Sequence, residues 1–238
     1  MKLVEQRFDI LTPISVGGID ELQKIEKAGR TCYKSEDKIS DDWESAKKFV
    51  KMLIDRHHEA MLEHSSLTVE FTCSRGVSHE IVRHRLFSFA QESTRYCNYS
   101  KGKFGGSCTF IIPPELKNAK ETDPGFIAWK GALQRAEDYY FELLGYGWKP
   151  EEARDVLPNA LKTEIVVTGN YREWRHFLQL RCDKTAHPHI RELAQNLAMT
   201  LKICIPVVFD DIWVPVEHTN VDMWSSVGSD GVKRMWDS

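Results

Sequence analysis

No run of about 18 apolar residues interrupts this chain of 238 residues, so the sequence offers no membrane-spanning helix. The opening stretch MKLVEQRFDILTP alternates polar and apolar residues and lacks the apolar centre of a signal peptide, which predicts a cytoplasmic protein. No C-x-x-C pair occurs among Cys32, Cys73, Cys97, Cys108, Cys182 and Cys204, so neither a zinc ribbon nor a dense disulfide framework is expected. G-x-G-x-x-G and Walker A cradles are missing, as is the G-x-S-x-G elbow of a hydrolase. His58-Glu59 begins like a zinc-protease helix, but Leu62 stands where the second His belongs; no metal site is expected. There is also no excess of positive charge: 32 Lys and Arg against 35 Asp and Glu leave a formal net charge of −3, against the balance of a chain that coats nucleic acid.

What is present is ordinary globular material, with 42% hydrophobic and 28% charged residues. One domain over 1–238 is expected, with the part beyond about 215 unassigned. Strands are predicted at 4–14, 65–73 and 163–169, and a short one follows the Gly- and Ser-rich stretch at 97–107. Helices are predicted at 18–30, 40–60, 125–144, 150–158, 170–182 and 189–205. Ser40, Asp41 and Asp42 look like the cap of the second helix. Ser74 looks like the cap of another, with Val77, Ile81 and Val82 facing inward. Strands and helices mix without a βαβ rhythm, which points to an α+β fold, helices packed on a mixed or antiparallel sheet.

Two windows depart from the acidic average. Residues 75–95 hold four Arg against two Glu, and residues 170–191 hold five cations against two acids. Solvated helix faces would explain such windows at little energetic consequence. Two features favour an anion site instead. Arg83-His84-Arg85 runs straight into the apolar Leu86-Phe87-Ser88-Phe89. Arg172, Arg175, His176 and Gln179 fall at i, i+3, i+4 and i+7, opposite Trp174, Phe177 and Leu178. Nearly all of this charge is guanidinium, a planar fork suited to phosphates and carboxylates.

Arg83-His84-Arg85, seven residues and then Ser93 form an R-H-R-x7-S pattern, followed by Thr94-Arg95-Tyr96. It resembles the signature of flavin-dependent thymidylate synthases. His58-Glu59, Glu63-His64, Ala153-Arg154, Asn170-x-Arg172 and Leu180-Arg181-x-Asp183 fall in the matching order, so the resemblance spans roughly 20–205. It implies a homotetramer whose active sites are shared between subunits. It also implies binding of FAD, deoxyuridine monophosphate (dUMP), methylenetetrahydrofolate and NADPH, and formation of thymidylate and tetrahydrofolate. Carried over by position, Arg83, His84, Arg85, Gln91, Asn170, Arg172 and His176 contact the flavin. Glu80, Arg83, Gln91, Glu92, Ser93, Thr94, Arg95, Arg154 and Arg181 surround the nucleotide. The catalytic candidates are Arg181, expected to polarise the pyrimidine, and His58, expected to lie by flavin and folate. Ala60, Gln91 and His176 depart from common family residues. A nucleic-acid-binding module and a flavoprotein of other specificity are the competing readings.

Overall fold

A computed structural model describes residues 1–40, 43–102 and 105–215. The strands are β1 (Lys2–Val4), β2 (Arg7–Ile10), β3 (Ser66–Ser74), β4 (Ser88–Gln91), β5 (Thr109–Ile111) and β6 (Lys162–Asn170). The helices are α1 (Ile19–Tyr33), α2 (Glu44–Asp55), α3 (Arg75–Ile81), α4 (Pro124–Gly145), α5 (Pro150–Ala153), α6 (Tyr171–Arg181) and α7 (Pro188–Cys204). The α+β expectation is met. A four-stranded antiparallel sheet runs in the order β2-β3-β6-β4, and β1 pairs with β5 in a small parallel sheet.

β3 and β6 form the spine, paired from Ser66↔Asn170 to Ser74↔Lys162. Along β6 every second residue is buried, the pattern of a strand with one face on a core. α6 and α7 cover that face. On α7, Ile190, Leu193, Ala194, Leu197, Ala198 and Leu201 bury one stripe at helical spacing. Trp174, Phe177 and Leu178 of α6 meet it, together with Phe71 of β3. At Gly169 the chain admits no side chain, because an added Cβ would lie 2.1 Å from Phe87. A second cluster, with Tyr99, Phe110, Leu133 and Tyr140, packs under α4 beside the small sheet.

The structure departs from the sequence reading in several places, among them an unexpected β4 and helices α2 and α5 that end earlier than expected, at Asp55 and Ala153. The single strand expected at 4–14 is two, because Gln6 turns inward and its Nε2 donates to His189 O and Glu192 Oε2, sending the flanking strands to different sheets. Val82 is 36% exposed, since α3 ends at Ile81 and the chain turns away from the core there. The second helix begins at Glu44; of its expected cap, Asp41 and Asp42 lie outside the described residues, as does everything beyond 215. Ser74 caps α3 as expected, its Oγ accepting from Val77 N–H. Among the described residues no helix is long and apolar enough to cross a membrane.

Candidate active site

The R-H-R stretch forms the turn between α3 and β4. Backbone N–H groups of Arg83, His84 and Phe87 donate to Glu80, Ile81 and His84 carbonyls, which winds the chain tightly. That winding turns Arg83 and Arg85 out to solvent and His84 inward, where it is 5% exposed. The imidazole lies edge-on to Phe177, with ring centres 5.0 Å apart, and to His176 at 5.7 Å. Burial, then the positive charges of Arg181 and His176, push its pKa down to about 4, so it is neutral at pH 7.

Arg181, the last residue of α6, reaches this imidazole. Its Nε–H donates to His84 Nε2 at 3.1 Å, Nη1 to Glu80 Oε2 at 2.8 Å and Nη2 to the Glu80 carbonyl at 3.1 Å. A guanidinium has five N–H donors, so two remain, one on each terminal nitrogen. The side chain is 19% exposed, which gives those two donors access to a ligand in a partly dry setting. Glu80, His84, His176 and Arg181, from windows a hundred residues apart, are thus gathered in one place, with Arg83 exposed at the turn beside them.

A second group lies past β4. Thr94 is buried and its Oγ1 accepts from Arg154 Nη1 at 3.0 Å. Ser93 Oγ accepts from Arg95 N–H, fixing the turn, while Arg95 pairs with Glu151 at 2.7 Å on the surface. A cleft of about 360 Å³ opens here, lined by Arg75, His79, Thr94, Arg154, Asp155 and Asn159 among others. Arg75 and His79 were given no role by sequence. Their i, i+4 spacing on a capped helix is the signal that could have found them.

The other expected residues divide by what they already hold. Gln91 Nε2 donates to Ser78 Oγ and Thr163 Oγ1, leaving its carbonyl oxygen. Glu92 is engaged by Lys162 at 3.0 Å and by the Tyr99 hydroxyl at 3.2 Å. Asn170 caps α6, its Oδ1 accepting from Glu173 N–H. Arg172 pairs with Glu63 at 2.6 Å while still exposed. His58 is exposed on the turn before Glu59.

Arg175 is the clear correction. It does not share the exposed face with Arg172 and His176 but is 1% exposed. At 100° per residue it stands roughly 60° from Leu178, on the border of the apolar stripe. Asp211 and Glu59 draw it inward: Nη1 and Nη2 donate to the two Asp211 oxygens at 2.6 and 2.7 Å, and Nη2 to Glu59 at 3.2 Å. Nη1 also donates to the Val208 carbonyl. Among the described residues no group of three His, Cys, Asp or Glu side chains could hold a metal ion.

A family model described as thymidylate synthase complementing protein matches residues 19–207. A flavin-dependent thymidylate synthase of Corynebacterium aurimucosum is 34% identical over 220 residues, covering 90% of this chain and 88% of that protein. One of Mycolicibacterium vanbaalenii is 37% identical over 199 residues, covering 81% and 80%. In fold, the chain is similar to the crystal structure of the UMP/dUMP methylase PolB of Streptomyces cacaoi bound with 5-Br dUMP. The TM-score is 0.71 at 24% identity, over 88% of this chain and 96% of that one.

Proposed function

The chain belongs to the flavin-dependent thymidylate synthase family, and from that premise we propose that it methylates dUMP to thymidylate at the site described above. The carbon donor is methylenetetrahydrofolate, the reductant NADPH and the folate product tetrahydrofolate. The observation that carries this reading is Arg181, held between Glu80 and His84 with two donors to spare.

The chemistry explains the demand. C5 of uracil is a weak carbon nucleophile until negative charge builds on the ring. A preorganised, partly desolvated cation stabilises that charge, and removing one such donor typically costs about 10²–10³ in rate. Arg181 supplies it, which makes it the catalytic residue of this chain. The cleft with Arg75, Thr94 and Arg154 takes the nucleotide phosphate, with Arg95 and the Ser93–Thr94 backbone at its edge. Glu92, whose carboxylate is committed to Lys162 and Tyr99, holds that turn in place.

FAD, when bound, supplies the two-electron chemistry of the methylation. The residues present fit it. Arg83 and Arg85 are exposed and form no ion pair among the described residues, so their charge is available to a pyrophosphate. Arg172, Asn170, His176 and the Gln91 carbonyl complete the set, and His58 stands at the flavin and folate side. Leu86, Tyr96 and Leu180 are 76%, 77% and 51% exposed beside these groups. Covering them with other copies in a homotetramer would complete shared sites.

The visible spectrum tests the proposal. The purified protein should be yellow, its flavin bands should shift on adding dUMP, and thymidylate should form only with methylenetetrahydrofolate and NADPH present. A colourless preparation that gives no heat with FAD or dUMP in calorimetry would overturn it.

A further inference from the structure

The buried member of the R-H-R turn faces away from solvent, toward Arg181 and a carboxylate that no expectation included. Arginine can only donate, so the Arg181 Nε–H bond requires a lone pair on His84 Nε2. The neutral imidazole therefore carries its hydrogen on Nδ1. That nitrogen lies 3.8 Å from Glu173 Oε1, within ion-pair reach but longer than a hydrogen bond. Glu173 is 5% exposed and its carboxylate has no other ion pair or hydrogen bond among the described residues. A buried carboxylate facing one edge of an imidazole favours a hydrogen on that edge and a lone pair on the other.

We propose that His84, backed by Glu173, is a positioning residue: a neutral acceptor that sets the plane of the Arg181 guanidinium so that its two remaining donors meet the pyrimidine. The line Glu173, His84, Arg181 runs from the interior of α6 through the R-H-R turn and back to the end of α6. With Glu80 holding the two terminal nitrogens, it fixes the guanidinium at three points. A guanidinium fixed before the reaction needs no reorganisation as charge develops on the ring.

This rests on the reading of Arg181 above, and the test separates the two. His84→Phe keeps a flat ring against Phe87 and Phe177 but removes the acceptor. His84→Gln disturbs the ring packing but restores an acceptor for Arg181. Flavin content and melting temperature are read for both. His84→Phe should lower kcat for thymidylate about 10-fold or more with the KM for dUMP little changed, and His84→Gln should recover to within about 3-fold of wild type. A packing role predicts the reverse order, and that order would overturn the proposal. Should His84→Phe fail to fold, nitrogen NMR of the wild-type protein, labelled at histidine and assigned with His84→Gln, decides. A protonated Nδ1 and bare Nε2 support the proposal; a proton on Nε2 ends it. If wild type makes no thymidylate, the parent reading fails while the tautomer result still reports the contact.

Discussion

Of the three arginines on α6, two that stand six positions apart, Arg175 and Arg181, have opposite fates. At its middle Arg175 is 1% exposed and uses four of its five N–H groups on Asp211, Glu59 and Val208. At its end Arg181 is 19% exposed and uses three, one of them on a neutral imidazole. The first spends both terminal nitrogens on two carboxylates and a carbonyl and closes the fold, tying the turn that follows His58 to residues 208–211. The second keeps donors in reserve. Residue type and helix are the same. What separates the two is how many donors the fold leaves unspent.

The comparison breaks most directly at its structural pole. Arg175→Ala should destabilise the protein by about 3 kcal/mol or more, because it leaves Asp211 and the half-buried Glu59 facing each other without a cation; chemical denaturation measures it. Stability close to wild type would place Arg175 among surface ion pairs. At the other pole, Arg181→Ala should keep the fold and the yellow colour but lower thymidylate turnover about 10²–10³-fold, a cost of about 3–4 kcal/mol in the barrier. Near-normal turnover would strip Arg181 of its role. Between the poles lies the packing that holds His84. Gly169→Ala drives a methyl into Phe87, which leans on His84 with ring centres 6.0 Å apart. A loss of about 1–3 kcal/mol in stability, with some fall in turnover, is the expected result.

A smaller effect follows from pH. The unfolded chain takes up a proton on His84 near 6.5 and the folded chain only near 4. The stability this provides is fully present above pH 6.5 and drains as pH falls towards 4. Melting temperatures of wild type should therefore drop more steeply across that window than those of His84→Gln. Equal slopes would mean the imidazole is not held neutral. Smallest of all, Ser93→Ala should lower turnover only a few-fold: its hydroxyl accepts a single local N–H, from Arg95, in a bond worth about 1 kcal/mol. Trapping a covalent adduct on Ser93 would make it a nucleophile instead.

Much of this frame was legible in the residues. β6 and α7 announce themselves through periods of two and 3.6, because each buries one face. β4 escaped notice: four residues, Ser88 to Gln91, are too few to show a period, and the strand exists because β6 offers it an edge. The split of the first strand hinged on Gln6, whose partners on α7 lie over 180 residues away. The R-H-R-x7-S spacing marked a candidate site but could not orient it. It groups His84 with its neighbours; in the fold a turn wound by three backbone bonds sends the middle residue inward, against His176 and Arg181, and the outer two to solvent.

The sequence alone determined which chemistry was available: guanidiniums gathered in two windows, no nucleophile elbow and the order of the family's motifs. Local spacing carries that much, since a helix face or a turn is set by residues a few positions apart. Which cation is free to act was decided only in three dimensions. The partners that silence Arg175 and steady Arg181 come from 36, 97, 101 and 116 residues away, and a donor's reserve is a property of what surrounds it.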